Sequence, residues 1–597
     1  MHHNGFKMPS HPVLEPIETI RCQDAILDLS DPQHPKEPEW PEAEFIVGNP
    51  PFLGGKLLRT NLGDEYVDQM FRVWERRVPR EADLCCYWFE KARAHIQGSR
   101  CGRAGLLATQ GIRGGANRKV VQRIKESGDI FFAESDRDWV LAGATVHVSM
   151  IGFDNGAEKQ RLLDGKPAKQ IHSNLRAAAD TTSARPIRAN LGLSFMGDTK
   201  GGAFDIVETL ALEMLRAPNA HGRPNSDVVV PWVNGLDITR RPRDMWIIDF
   251  GPEMPVEEAA RYEAPFRYLD SHVRPEREKN NRESYRERWW IHVEARPALR
   301  GVLCPLARFL VTVGVAKHRL FCWMQGPTLP DHALFVFSRT ENWFFGVLHS
   351  RVHEVWARAQ GTQVRERESG FRYTPTTCFE TFPFPECMGG VGRPGESTQY
   401  EVGSTESGGG SAGAEVVERN PTLAAIAAAA RELDDLRKAW LNPPEWTTAE
   451  VLEFPGSVDG PWARYIDPAT VRPVPGPHPD PLPAGEGTAE RASGPHPDPL
   501  PAGEGTAETP SAVPRPPSAV GIVRWPRIVP KDADCAESLK KRTLTNLYNQ
   551  RPEWLRLAHE KLDAAVFAAY GWESGISDEA LLEKLLALNL ERAARQG

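Results

Sequence analysis

Glu44-Phe45-Ile46-Val47-Gly48 runs directly into Asn49-Pro50-Pro51-Phe52, with Gly54-Gly55 close behind. The short apolar run reads as a buried strand, and the prolines and glycines after it end the strand in a stiff turn. Outward from it lie three more strand candidates, Arg103–Thr109, Asp129–Ala133 and Thr145–Phe153. Amphipathic helical patterns over Asp64–Val78 and Ala82–Ile96 separate them. Strands alternating with helices predict an α/β domain.

The residue types after the strand suit one kind of chemistry. The exocyclic amino group of adenine is a poor nucleophile, because its lone pair is delocalised into the ring. Two acceptors aimed at its hydrogens, the Asn49 side-chain carbonyl and the Pro50 main-chain carbonyl, would favour the tetrahedral, nucleophilic geometry. Pro50 and Pro51 stiffen the loop, so these acceptors need little rearrangement during reaction. Phe52 offers a flat face for an extruded base, worth about 1–3 kcal/mol. The base must first leave the duplex. The bland alternative is a Pro-Pro turn and nothing more. Asn442-Pro443-Pro444-Glu445 repeats the first three letters after a helical pattern, without an aromatic residue, and is expected to be a helix stop.

Composition narrows the class. With 597 residues, several domains are expected, and 40% apolar and 25% charged residues fit a globular protein. No apolar run is long enough to span a bilayer, and the N-terminus lacks a secretory apolar stretch, so a cytoplasmic protein is expected. Nine cysteines without a C-x-x-C pair, two of them adjacent at Cys85-Cys86, predict reduced thiols and no metal site. A net charge of −8 excludes a general polyanion binder. Nucleic-acid contact therefore needs a local basic surface. Arg274, Arg277, Lys279, Arg282, Arg286, Arg288, Arg296 and Arg300 lie near Trp289 and Trp290, but Glu276, Glu278, Glu283 and Glu287 are interleaved with them. A salt-bridged helix face is the competing reading. Lys317-His318-Arg319 is a second basic candidate, with a strand-end turn as its alternative.

The chain as a whole resembles the methyltransferase portion of fused type II restriction–modification enzymes (the type IIG/IIL group), and more distantly phage-exclusion methylases. The likeness lies in NPPFLGGKLLR, VPREADLCCYWFEKA, GRAGLLATQGIRGGANRK and SDRDWVLAGATVHVSMIGFDNG. It continues in VVVPWVNGLDITRRPRDMWIIDFG and RYTPTTCFETFPFP, and resumes at RTLTNLYNQRPEW. The resemblance implies an α/β, Rossmann-like class I methyltransferase sheet, then an α+β target-recognition domain and a helical C-terminal region. It implies S-adenosylmethionine as cofactor and double-stranded DNA as partner. On it, Asn49, Pro50, Pro51 and Phe52 fall on the catalytic motif. Asp24, in IRCQDAIL, falls on the acidic position facing the adenine half of the cofactor. Some of the basic residues above are then expected to face DNA.

The expected organisation is a catalytic core at 15–160, a connecting segment at 161–224 and a target-recognition domain at 225–388. A flexible Gly/Ser linker (389–415), a helical segment (416–470) and a disordered Pro/Gly insertion (471–520) follow, then a helical region at 521–597. In that last region Trp554, Ala558, Leu562, Val566 and Ala569 share one helical face, Pro552 suits a first turn, and Ser577 suits an N-cap.

One departure from the family stands out. Only 48 residues precede Asn49, too few for three strands and two helices, and no strand-to-helix glycine loop for the cofactor lies among them. The sheet is expected to be incomplete, with an open edge beside Glu44–Gly48. Two alternatives follow: a DNA-binding fragment, or a subunit that needs a separate N-terminal methyltransferase or nuclease part. Methylation of a glutamine amide in protein also uses an NPP-aromatic loop, but the long Arg/Trp-rich region speaks against it.

The insertion contains GPHPDPLPAGEGTAE twice, at Gly476–Glu490 and Gly494–Glu508. Two such copies cannot bury a core. Deleting Gly476–Glu508 should leave the thermal unfolding midpoint nearly unchanged; a large drop would show that the repeats pack.

Overall fold

The computed structural model describes residues 21–141, 144–177, 179–363, 370–386, 420–473 and 519–596. The linker at 389–415 and both repeats therefore fall outside the described residues. The chain forms two compact units, Met1–Ser183 and Ala184–Gly597, and the division falls inside the expected connecting segment.

The first unit is built on a mixed sheet. Its main strands are β1 (Ala43–Gly48), β2 (Cys101–Thr109), β3 (Asp129–Leu141) and β4 (Ala144–Asp154). They lie in the order β1-β2-β4-β3, continued by two short strands at Leu162–Leu163 and Lys166–Pro167. β1 pairs parallel with β2, while β4 runs antiparallel to both β2 and β3. The four expected strands are present. β3 is longer than expected because two register shifts carry it past its apolar start.

Helices α1 (Leu58–Leu62), α2 (Asp64–Val73), α3 (Cys85–Gln97) and α4 (Gly115–Ser127) complete the unit. Asp64 and Glu65 occupy the first turn of α2, where the helix dipole favours negative charge, and Val67 and Met70 face the core. α3 packs on β2 and α4, and α4 on β3, so one sheet face is covered by helices. The opposite face is not. Phe45, Val47, Leu107, Phe131 and Met150 line an open apolar hollow of about 390 Å³. β1 sits at the sheet edge among the described residues, with Phe45 62% and Val47 82% exposed. Parallel strands are ordinarily buried on both faces, so this edge is unusual.

α3 also buries charge. Glu90 is fully buried and takes bonds from Arg77 (Nε, 3.2 Å), Arg93 (Nε, 2.8 Å) and Arg123 (Nε, 3.0 Å). Burial pushes its carboxyl up, but the Arg93 and Arg123 guanidiniums overcome that and hold it below the usual range.

In the second unit, Val229–Val233 and Trp246–Ile248 belong to one four-stranded sheet. Arg308–Val313, Phe321–Gln325 and Leu334–Phe337 belong to another. The arginine-rich stretch lies on short helices between them and is largely structural, which corrects part of its reading as a DNA face. Arg277 is buried and donates to the carbonyls of Gly201 and Lys200. Arg300 bridges Asp198, at 2.6 Å, and Asp249. Trp289 is buried, and Arg274 pairs with Asp270 and Glu278. Of the interleaved acids only Glu278 is such a partner among the described residues, to Arg274; Asp270, Asp198 and Asp249 lie outside the interleaved set. Arg319 is likewise buried, bonded to Thr312 Oγ1 and stacked on Phe371 and Tyr373.

Helix Pro421–Leu441 ends with Asn442 as its C-cap, so the second NPP is a helix stop. It crosses Asn342–His349 closely enough that a Cβ on Gly346 would lie 2.8 Å from Ile426. Glu553–Tyr570 buries Leu555, Ala558, Leu562, Val566 and Phe567; its face is centred on Leu555 and Trp554 is only half-buried. Pro552 is that helix's N-cap, one position before the expected first turn, and Ser577 caps the last helix by accepting from Ala580 N. Among the described residues all cysteines are free, no cluster could hold a metal ion, and no helix is long and apolar enough to cross a membrane.

Removing one member of a buried ion-pair network leaves the others uncompensated, at a cost of about 3–5 kcal/mol. Glu90→Ala should therefore cost hydrogen-exchange protection across Cys85–Gln97 by that amount. Because the Glu90 carboxyl is held low, its stabilisation is present above the unfolded carboxyl pKa of about 4.3 and is lost as pH falls through the folded value. Unchanged protection in the variant would show that the network contributes nothing.

Candidate active site

β1 and β2 are parallel, so the segments leaving them, Asn49–Gly54 and Gln110–Gly114, open at the same, carboxyl end of the sheet. That end is where open α/β sheets bind ligands. Within the loop Pro50 is buried, Asn49 is exposed and Phe52 is half-buried. Among the described residues neither the Asn49 amide nor the Pro50 carbonyl has a protein hydrogen bond.

The rest of the loop is held tightly. Leu84 N donates to Leu53 O at 2.8 Å, and Gly55 N donates to Asp83 Oδ1 at 3.0 Å. Gly55 must be glycine: a Cβ there would lie 2.3 Å from the Glu81 carbonyl oxygen. Asp83 is fixed in turn by Asn117 near the start of α4. Asp83 N donates to Asn117 Oδ1 at 2.7 Å, and Asn117 Nδ2 donates to Asp83 Oδ2 at 2.8 Å. Sequence reasoning assigned no role to Asp83 or Asn117, although both lie in the stretches that carry the resemblance. Their pairing across 34 positions was the missing information.

Asp24 stands apart from this loop in its bonding. Its Oδ1 accepts from Ile26 N at 2.8 Å and Leu27 N at 3.0 Å, and its Oδ2 accepts from Tyr66 OH at 2.7 Å. Burial, reinforced by the neighbouring carboxylate, pushes the Tyr66 phenol up, so it stays a donor. Asp24 is thereby tied to α2, and Trp74 Nε1 fixes the same turn through Ile26 O.

Residues 7–164 match the family model described as MmeI, DNA-methyltransferase domain, and residues 320–386 match that described as MmeI, target recognition domain. The chain thus holds an MmeI-like DNA-methyltransferase domain and an MmeI-like target recognition domain. A solved structure of the type IIL restriction–modification enzyme MmeI in complex with DNA is similar in fold, with a TM-score of 0.57 at 16% identity. The match covers 92% of this chain and 57% of that one, so the chain spans a little over half the length of its solved relative. The type IIG restriction endonuclease BpuSI is far less similar, with a TM-score of 0.21 at 8% identity over 56% of this chain and 46% of that one, too weak to bear on the fold. No curated protein matches the chain. The MmeI methyltransferase match includes the whole Asn49–Gly55 loop, its Asp83–Asn117 support and Asp24.

Loss of a hydrogen bond to a carboxylate costs about 1.5–3 kcal/mol. Asp83→Ala should therefore raise the exchange rate of the Gly55 amide about 10- to 100-fold, and Asn117→Ala should do so less. Exchange unchanged in both variants would show that the loop holds its shape without them.

Proposed function

We propose that this chain transfers a methyl group from S-adenosylmethionine to adenine N6 in double-stranded DNA, at a sequence read by its target-recognition domain. The observation that carries the reading is the pair of unpartnered acceptors, Asn49 and Pro50, on a loop clamped from behind. A clamped loop presents its acceptors without reorganisation, which is the condition for stabilising charge that develops on the amino nitrogen. Asn49 and the Pro50 carbonyl would accept the two amino hydrogens, and Phe52 would stack on the extruded base. The MmeI-type methyltransferase match favours DNA over a protein glutamine amide as the substrate.

S-adenosylmethionine would supply an electrophilic methyl group. Of the residues described, Asp24 suits its adenine end: the carboxylate is exposed and keeps lone pairs beyond those taken by Ile26, Leu27 and Tyr66. Nothing described suits its methionine end, because Gly54-Gly55 is committed to packing on Glu81. The bare β1 edge supports a second reading, in which further polypeptide completes the cofactor side of the sheet.

The test is methylation of mixed genomic DNA with labelled cofactor, followed by nucleoside analysis. N6-methyladenine should form, and Asn49→Ala should abolish it while leaving DNA binding intact. Phe52→Ala should slow transfer, whereas Phe52→Tyr should be tolerated. Near-normal transfer by Asn49→Ala would remove that residue from the mechanism. Transfer that needs an added N-terminal methyltransferase fragment would favour the second reading.

A further inference from the structure

A groove of about 500 Å³ that the mechanism above does not use is lined by residues that adjoin the clamp in sequence. Five cations line it: Arg76, Arg77 and Arg80 from the segment between α2 and α3, and Lys119 and Arg123 from α4. Their commitments differ. Arg77 and Arg123 are bound to the buried Glu90. Arg76, Arg80 and Lys119 are exposed and have no ion pair or hydrogen bond among the described residues. Arg80 also lies over the Phe71 ring, its guanidinium 5.7 Å from the centroid, which orients it. Arg76 takes a left-handed backbone conformation, φ 62°, that costs a non-glycine residue strain.

The groove's place in the fold gives these cations a purpose. Arg80 directly precedes the Glu81–Leu84 turn that holds the candidate catalytic loop, and Lys119 lies two residues past Asn117. The uncommitted charges are therefore carried by the two segments of the clamp itself. Glu75 and Glu126 also line the groove, so three free cations face two acids. That balance suits one or two phosphates and does not suit a broad polyanion surface, in keeping with a net charge of −8.

We propose that Arg76, Arg80 and Lys119 form a phosphodiester subsite that grips the DNA backbone beside the extruded base. The proposal rests on the DNA reading above and adds the residues that would anchor the strand at the reacting end. Arginine and lysine both serve as phosphate contacts, and such contacts fix register without reading sequence.

The experiment uses the full chain and a mixed-sequence duplex, with affinity measured by fluorescence anisotropy over a series of salt concentrations. Each phosphate contact contributes about 0.9 to the slope of log affinity against log salt. Arg80→Gln with Lys119→Gln should lower that slope by about 1.8 and weaken binding at low salt, with the thermal midpoint unchanged. Arg80→Lys should keep most of the slope. A parent chain that binds the duplex beside a double variant with the same affinity and slope would overturn the subsite and leave the DNA reading standing. A parent that fails to bind at any salt would overturn both. A third arm adds inorganic phosphate alone: stabilisation of the parent by phosphate, lost in the variant without any change in the DNA slope, would mark a free-anion site and also overturn the proposal.

Discussion

The backbone approach between Gly55 and Glu81 is the constraint on which the candidate site depends. A loop carrying two prolines is stiff but not positioned; something must set where its stiffness points. Here the absence of a Cβ at Gly55 lets the loop lie against the Glu81–Leu84 turn, and the Asp83 carboxylate then takes the Gly55 amide. Asn117 donates to that carboxylate and accepts from Asp83 N, which leaves the aspartate little rotational freedom. The result is a chain of contacts from α4 through the turn to the loop. Only its last members, Asn49 and the Pro50 carbonyl, are left without a protein partner. Acceptors left open on a loop held this firmly stand out beside Asp83 and Asn117, whose side chains are paired with each other.

The clamp needs a fixed platform, and α3 supplies it. This helix follows the Glu81–Leu84 turn directly and packs against β2 and α4. Its inner side carries Glu90, tied to Arg77 before the helix and to Arg123 on α4. A buried carboxylate is costly alone, and three guanidiniums compensate this one. The network therefore joins the segment before the turn, the helix after it and the helix that carries Asn117. Arg77 and Arg123 would otherwise add free charge to the basic groove. Their commitment to Glu90 separates structural charge from charge left for a ligand.

Legibility followed the range of the interactions. Local patterns carried well: the strand before Asn49, helices α2 and α3, the Asn442 helix stop and the Ser577 cap all rest on neighbours within a turn or two. The motif and its strand were legible for the same reason. What failed to show was pairing between distant residues. Asp83 and Asn117 are ordinary polar letters until the fold brings them together. Arg277 and Arg300 looked like surface charge because their partners, the Gly201 carbonyl and Asp198, lie far away in sequence. Counting the interleaved glutamates pointed to the right class of partner for Arg274. It could not identify Asp198 and Asp249 as the acids for Arg300.

The open edge and the open loop belong to one strand, and that links two questions otherwise treated separately. β1 ends at Gly48 and Asn49 begins the candidate catalytic loop, so a strand added beside β1 would lie next to that loop. Phe45 and Val47 project on the face that the helices leave bare, while Ile46 packs into the core between them. Covering that face would bury two large apolar side chains, and an added strand would pair the free edge of the sheet. Both gains would accrue where the methionine end of a cofactor lacks a holder among the described residues. If further polypeptide completes this sheet, folding of the edge and assembly of the cofactor site would be coupled. The exposed apolar strand would then be the driving force for placing the missing groups beside Asn49.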